Sequence, residues 1–433
     1  MSRLPLLVGA GLALVAHLFS QAVPAGLPAI SFEDALERAR ANSPQFLSAQ
    51  IEAKLAREDH LQARAALLPS VNWLNQFIYT QPNGSGSGVF VSNDGPHVYN
   101  NQAILHGEIY SPPKAAQYRM SLAAEAAALA RAEVAARGLT LAVTERYYGL
   151  VLAGRRGAHA RRSLEEAGLF LSITQKQEAG GEVAHADVVK AEMQRDQRQR
   201  EAQDAELALA KARLGLAVLL FRDFRQDFSV VDDLDEPRPL PPKEELQALA
   251  GRNNPDIRAA QETVRRETFG IRAARGERLP TLSFEYVYGI NANQYAVRGP
   301  EQLRNLGSSV MAELAVPVFN WGASGSRVRQ AELRLQQAQA ELSLAQRGLL
   351  ANLNAFYLEA DAAGMQRASL RHSSDLAAES ARLTLLGYQA GEATALEVVD
   401  AQAALIQARN AADEGLLRYR LALVNLQTLT GAF

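Results

Sequence analysis

The chain has 433 residues, enough for two or three domains or for one extended architecture, with 45 basic and 47 acidic side chains and no cysteine. The near balance of charge gives no basic field of the kind that binds nucleic acid, so no nucleic-acid partner is expected. The lack of cysteine excludes disulfide frameworks, thiolate metal sites, a cysteine nucleophile and a lipid anchor on an N-terminal cysteine.

The N-terminal segment has the features of a secretory signal. Arg3 precedes an almost wholly apolar stretch over residues 4–19, and small residues follow at Ala22 and Ala25, either of which fits a cleavage site. An uncleaved membrane anchor is the alternative, but about 16 apolar residues are short for a spanning helix. We therefore predict a signal peptide over residues 1–22 and a mature chain that leaves the cytoplasm.

Proline and glycine landmarks recur in one order, which indicates an internal duplication. Two pairs stand 211 positions apart and a third pair stands 210 apart: Pro44 and Pro255, Pro69 and Pro280, Gly181 and Gly391. The chain is therefore read as two copies of one unit. We predict a first repeat over residues 31–222, a second over 243–433, and an acidic, proline-rich linker over 223–242 between them.

Each copy predicts the same elements in the same order. A helix is followed by a strand, a polar Gly-rich loop, a second strand, a very long helix and a returning helix. In the second copy, apolar residues at Leu282, Phe284, Tyr286 and Tyr288 alternate with other residues, as in a strand with one apolar face. The second strands are predicted at 101–110 and 309–318, the loops at 81–99 and 291–307, and the helices at 32–67, 115–179, 182–221, 243–278, 324–390 and 392–430.

The two longest helical segments contain no proline, and each ends at a glycine turn, Gly181 or Gly391. About 65 helical residues make a rod of roughly 100 Å. A rod of that length cannot bury itself in one compact core, so it must pack along a partner helix. Both copies are therefore predicted to end in a long helical hairpin.

Four strands of about ten residues have the length of tilted outer-membrane strands, but four strands cannot close a barrel. An open sheet edge in lipid would leave backbone groups unpaired, at several kcal/mol each, so the sheet would have to close by oligomerisation. This favours a channel. The alternative is a non-channel coiled-coil envelope protein that binds partners along its length and whose strands form a small soluble sheet.

Three segments carry a resemblance to a known family. The passage from strand to helix at residues 316–322, the tip and returning helix at 388–392 and 396–402, and the ending at 426–431 resemble those of the TolC-like outer-membrane efflux proteins. The resemblance covers nearly the whole mature chain.

The resemblance implies a mixed, mainly α, internally duplicated fold. Three chains would form a homotrimer with a twelve-stranded barrel, four strands from each chain, continued by an α-helical tunnel in the periplasm. The chain would be a passive, gated exit duct in the outer membrane of a Gram-negative bacterium, part of a tripartite efflux or type I secretion system. A periplasmic adaptor protein, an inner-membrane transporter and outer-membrane lipid would be its partners. No enzymatic activity, cofactor or metal is expected, since the seven histidines are scattered and no catalytic motif occurs.

The same resemblance points to residues of a periplasmic gate. Glu397 and Asp400 stand three apart on one helix face, and in a trimer each would form a ring of three carboxylates; the alternative is an ordinary solvated face. Asp187 and Tyr388 match positions that hold the aperture closed in the family. The basic residue of that link is replaced here by Ala393, so Tyr388 is expected to pack rather than to act as a latch.

Two further groups of residues are assigned by position. Gly181 and Gly391 mark the helix turns at which an adaptor would dock, although any helical hairpin favours glycine there. The second group would face lipid from the barrel, with a soluble sheet core as the alternative: Leu282, Phe284, Tyr286 and Tyr288.

Overall fold

The computed structural model describes residues 29–80, 97–236, 239–299 and 304–431. The predicted signal peptide and most of the first Gly-rich loop lie outside the described residues. In chain order the elements are β1 Ala29–Ile30, α1 Phe32–Asn42, α2 Pro44–Ala65, β2 Ser70–Tyr79, β3 His97–Tyr110, α3 Pro112–Ala179, α4 His185–Leu220, β4 Ser229–Val230, α5 Lys243–Asn253, α6 Pro255–Gly276, β5 Thr281–Ala292, β6 Leu306–Ala315, α7 Ala323–Gln389 and α8 Ala395–Thr430.

The helix predicted to open each copy is two helices, and the break has the same cause in both. Ser43 and Asn254 adopt an extended conformation before Pro44 and Pro255, because a residue before proline avoids the helical region. Each then caps the next helix, since its side-chain oxygen accepts a hydrogen bond from the backbone N–H three residues later. The duplicated prolines therefore mark two equivalent helix starts.

The four long strands form one antiparallel sheet in the order β2-β3-β5-β6, and among the described residues each outer strand has one edge without a partner. The register places paired residues on a common face. One face, the apolar sheet face, carries Val71, Trp73, Phe77, Tyr99, Ala103, Leu105, Leu282, Phe284, Tyr286, Tyr288, Val310, Ala312 and Leu314. The other, called the polar sheet face because it holds most of the polar side chains, carries Asn72, Gln76, Asn100, Gln102, His106, Ser283, Glu285, Ser309 and Glu313, with Leu74, Ile78, Val98, Ile104, Val287 and Met311 between them.

The second strand of each copy begins earlier than its alternation predicts. β3 begins at His97, which pairs with Tyr79, and β6 begins at Leu306, which pairs with Ile290. Hydrogen bonding to the neighbouring strand extends β3 and β6 beyond the residues whose alternation predicts a strand. β6 ends at Ala315 rather than at 318, since the proline two residues later has no N–H to give to a ladder.

Long helices make up the rest of the molecule. α3 has 68 residues and α7 has 67, so each extends for roughly 100 Å. α3 packs along α2, α4 and α6, and α7 packs along α6 and α8. The largest buried cluster lies where α1, α3 and α4 meet, around Tyr147, Tyr148 and Leu216. Of the helices described here, none combines the length and the apolar character needed to cross a bilayer.

The predicted linker is more ordered than its composition suggests. β4 pairs in parallel with β1, which lies before the first repeat, and Phe228 and Leu234 are buried. The hydroxyl of Tyr147 lies 2.8 Å from the carbonyl oxygen of Val231 and 3.1 Å from that of Ile30. The segment between the copies is therefore fastened to α3. The boundaries predicted for the signal, the repeats and the linker remain predictions.

Candidate functional site

The ends of the two helical hairpins lie where the sequence predicts. Gly181 and Gly391 have φ of 75° and 77°, in the left-handed region that glycine adopts without a Cβ clash. After each long helix the chain closes the same turn, with the N–H of Glu182 donating to the carbonyl oxygen of Gln177 and that of Glu392 to Gly387, both at 2.8 Å. Both glycines are exposed, so the turns are open to a partner.

Tyr388 is buried at the end of α7, with 3% of its surface exposed. Its ring lies edge-on to Phe170 of α3, with centroids 5.1 Å apart, and its hydroxyl donates to Thr174 Oγ1 at 3.2 Å. Val398 of α8 and Ala191 of α4 complete the cluster. The residue therefore packs the four helix ends of one chain together.

Glu397 is the third residue of α8 and closes a capping box with Thr394. Its Oε2 accepts from the backbone N–H of Thr394 at 2.6 Å and from the Thr394 hydroxyl at 3.0 Å. These hydrogen bonds favour the ionised carboxylate and lower the pKa of Glu397. Asp400, one turn later, is also exposed. The helix start thus fixes the direction of one of two exposed carboxylates.

Asp187 is not brought to these carboxylates. Its carboxylate lies 3.2 Å from Lys190 Nζ on its own helix, α4. An exposed pair of this kind contributes little to stability. Of the four residues predicted for the gate, Glu397 and Asp400 therefore share one helix face, Tyr388 lies in the core of the tip and Asp187 lies on another helix.

Sequence reasoning missed an ion-pair cluster that fastens the linker to α3 and α8. The Arg155 guanidinium of α3 holds Asp232 through two hydrogen bonds of 2.7 and 2.8 Å, and it contacts Asp235 at 2.7 Å. The same group donates to Asp413 of α8 at 2.9 Å, and His159 Nε2 lies 3.0 Å from the other oxygen of Asp413. The only signal in the sequence is the run of acidic residues in the linker, and the sequence does not show which basic residues they pair with.

The ion-pair cluster lowers the pKa of the Asp413 carboxyl. Burial raises the pKa of its carboxyl, but the hydrogen bonds and charges of His159 and Arg155 outweigh burial, so the pKa is lowered. A second link lies beside it, where Arg420 of α8 donates to Asp233 at 2.8 Å and to the Tyr148 hydroxyl at 2.7 Å. α8 is therefore held against α3 well above the tip.

The sheet exposes its apolar face. Leu282, Phe284, Tyr286 and Tyr288 share that face, although Leu282 and Phe284 are only partly exposed in the chain. Trp73 is 69% exposed, so large side chains of this face are uncovered in the single chain. An apolar surface of this extent marks a contact with lipid or another chain.

No group of three histidine, cysteine or carboxylate side chains within the described ranges could hold a metal ion. The described residues form a sheet with one mainly apolar face and one face that holds most of the polar side chains. The sheet is joined to long helices, whose far ends carry exposed carboxylates. This combination defines a membrane-channel subunit rather than a compact binding domain.

Comparison with known proteins gives the family. The profile of the outer membrane efflux protein family matches residues 35–220 and 246–432, so the chain belongs to that family. The two matched stretches coincide with the two runs of equivalent elements. The family and the architecture expected from the sequence are confirmed.

Individual relatives match over most of their length. The chain is 22% identical over 423 residues to the alkaline protease secretion protein AprF of Pseudomonas aeruginosa, covering 93% of this chain and 85% of AprF. It is 25% identical over 407 residues to the outer membrane protein TolC of Vibrio cholerae, covering 91% and 89%. The outer membrane channel CmeC of Campylobacter jejuni has the same fold, with a TM-score of 0.81 at 16% identity and coverage of 92% and 85%.

These findings establish the class of the molecule. Members of the family form trimeric channels that work with adaptor proteins and inner-membrane pumps in efflux and secretion systems. The chain is a channel subunit of the outer membrane, an exit duct of the efflux or secretion class, with its helical tunnel in the periplasm. The location and the channel function expected from the sequence are confirmed.

Proposed function

We propose that three copies of this chain close one twelve-stranded barrel by pairing the free edge of β2 with the free edge of β6 in the next copy. The observation that carries the proposal is the open four-stranded sheet, in which, over the described ranges, each outer strand leaves one row of backbone groups unpaired. Inside a bilayer such groups cost several kcal/mol each unless they are paired. Pairing between copies removes both edges at once.

The two sheet faces then have different surroundings. The apolar sheet face, including Tyr286 and Tyr288, faces the hydrocarbon of the outer membrane, and the polar sheet face lines a water-filled lumen. The division follows the register strand by strand: Ala103 pairs with Trp73 and Tyr288, whereas its neighbour Gln102 points to the other face. Lipid contact explains why the large apolar side chains are uncovered in the single chain.

The helices continue this lumen as a tunnel, through which substrate passes without chemical change. Substrate is delivered by an inner-membrane pump through a periplasmic adaptor, and the energy is supplied there. The exposed hairpin turns at Gly181 and Gly391 are the adaptor contacts in this scheme, because both lie at the end of the helices farthest from the sheet. The support is their exposure and their equivalent geometry.

Glu397 and Asp400 form the constriction at the tunnel entrance. Around a threefold axis each residue gives a ring of three carboxylates, and such rings favour cations over anions. Both carboxylates are exposed in the chain, and the capping hydrogen bonds hold that of Glu397 in one direction. The Phe170 and Tyr388 cluster behind them keeps the four helix ends together.

Conductance in planar bilayers tests the constriction. The double variant Glu397→Gln with Asp400→Asn removes both charges, while the glutamine still supplies an oxygen acceptor for the capping box. We expect a clear fall in cation selectivity and weaker block by divalent cations. Glu392→Gln, which removes another exposed acid at the same tip, is the matched control and should leave both unchanged. Wild-type selectivity in the double variant would contradict the gate.

A further inference from the structure

The segment between β6 and α7, residues 316–322, exposes large apolar side chains and is called the junction here. Val318 is 90% exposed and Trp321 is 91% exposed. Phe319, 73% exposed, lies edge-on to Trp321 with ring centroids 5.0 Å apart. An aromatic pair in contact with itself but with little else in the chain marks a surface for something outside the chain.

The backbone of the junction supports this reading. Trp321 has φ of 55°, and the following Gly322 has φ of 84°. A bulky residue rarely adopts the left-handed region, and such outliers cluster at functional contacts. Because the indole is exposed, packing within the chain does not offset the strain. The strain is therefore consistent with a contact that forms only in the assembled, membrane-bound protein.

The junction is continuous with the apolar sheet face. Leu314 is the last residue of that face on β6, and Val316 and Val318 keep the same alternation past the end of the strand. Val316 is 53% exposed. The aromatic pair therefore stands where an apolar, lipid-sized surface ends and the helical part begins.

Two arginine side chains lie at the first turn of α7, directly after the junction. The Arg278 Nη2 and Arg329 Nη1 atoms would lie 3.2 and 3.6 Å from a Cβ placed on Gly325, in the first turn of α7. Along the described ranges, no carboxylate lies within ion-pair distance of either guanidinium. Arg275 and Arg327 differ, because Glu332 and Glu277 neutralise them at 2.9 and 2.6 Å. Two adjacent cations without acidic partners suit a phosphate group.

We infer that the junction is a phospholipid anchor at the periplasmic boundary of the outer membrane, with Phe319 and Trp321 in the interfacial layer and Arg278 and Arg329 on lipid phosphate. Tryptophan prefers this layer because its ring is apolar while its N–H can meet water or headgroups. Arginine reaches the headgroups from the same level. The inference rests on the proposed function, since it requires the sheet to lie in a bilayer.

The two tryptophans of the chain, Trp73 and Trp321, make this testable by fluorescence. In Trp73→Phe the sole remaining tryptophan is Trp321, at the junction. In Trp321→Phe the sole remaining tryptophan is Trp73, on the apolar sheet face. Each full-length variant is reconstituted in phosphatidylcholine vesicles brominated either near the headgroup end or near the tail end of the acyl chains. A residue within the bilayer is quenched most by bromine at its own depth.

We expect headgroup-end bromine to quench Trp321 clearly, because an interfacial indole lies at that depth. Tail-end bromine should quench it less. If Trp73 is quenched and Trp321 is not, a neighbouring copy covers the junction and the anchor is refuted, while the proposed function stands. If neither is quenched, the sheet is not in lipid and both proposals fail.

The arginines are tested by the phospholipid that copurifies with the trimer, counted by native mass spectrometry. We expect Arg278→Gln with Arg329→Gln to lose bound anionic phospholipid that the matched variant Arg275→Gln with Arg327→Gln retains. Inorganic phosphate at millimolar concentration should not displace that lipid. Equal retention in both variants, or displacement by free phosphate, would contradict a lipid-phosphate site at these residues.

Discussion

Two substitutions of Tyr388 separate a packing role from a latching role at the periplasmic tip. Tyr388→Phe keeps the ring against Phe170 and removes only the hydroxyl that donates to Thr174. Tyr388→Ala removes the ring from a site that is 3% exposed. If the residue packs the four helix ends together, the ring carries the effect; if it is a latch, the hydroxyl does.

The expected magnitudes differ widely. Loss of one neutral hydrogen bond costs about 1 kcal/mol, and Thr174 still donates to the carbonyl oxygen of Phe170 at 2.9 Å. Truncation of a buried aromatic ring to alanine costs about 3–5 kcal/mol. Since each 1.4 kcal/mol is a factor of ten, we expect Tyr388→Ala to raise local opening at the tip by about a hundredfold to several thousandfold. Tyr388→Phe should raise it by less than about tenfold.

Amide hydrogen exchange of the α3 and α7 ends reads this opening directly, and bilayer conductance of the same trimers reads its consequence. We expect faster exchange and frequent open events in Tyr388→Ala, and near wild-type behaviour in Tyr388→Phe. Open events as frequent in Tyr388→Phe as in Tyr388→Ala would refute the packing account and restore the hydroxyl as a latch.

Three further outcomes are expected. Gly391→Ala should destabilise the second hairpin by about 1–2 kcal/mol, because Gly391 has φ of 77°. Gly348→Ala should stabilise α7 by about 1 kcal/mol, because the added methyl group meets open space and alanine favours a helix. Thermal denaturation of both variants checks the opposite signs. Ala103→Arg, on the apolar sheet face, should cost about 2–4 kcal/mol in refolding into lipid, and its neighbour Gln102→Arg on the polar sheet face should cost much less. The pKa of Asp413 is lowered below its usual 3.8, so its ion pair stabilises the fold above about pH 4 and is lost as the pH falls through the lowered value. Asp413→Asn should lose about 1–3 kcal/mol at pH 7 and show less further loss between pH 5 and 3 than the wild type, a difference that denaturant titrations at each pH would reveal.

The sequence predicted those features that depend on local pattern. The alternation at Leu282 to Tyr288 identifies the apolar sheet face because side chains of a strand point to opposite sides in turn. Gly181 and Gly391 identify the hairpin turns because a left-handed residue after a helix favours glycine. The prolines at 44 and 255 identify the duplication, since each starts an equivalent helix.

Features that depend on distant partners could not be predicted in the same way. Asp232 and Asp235 read as a solvated linker until Arg155, some 80 residues earlier, is seen to hold both. Asp413 is buried, and the partners of its carboxylate, Arg155 and His159, lie 258 and 254 residues earlier in the chain. Only the family resemblance points to Glu397 as a gate residue, and its capping of α8 becomes visible only with the helix start at Ala395.

Imaging of full-length protein extracted from outer membranes in mild detergent tests the central claim most directly. Three copies that close one barrel, continued by helices of 68 and 67 residues, should give a tapered tube with threefold symmetry and a length above roughly 100 Å. Rods that stay soluble without detergent, or an assembly whose symmetry leaves the edges of β2 and β6 unpaired, would contradict the account.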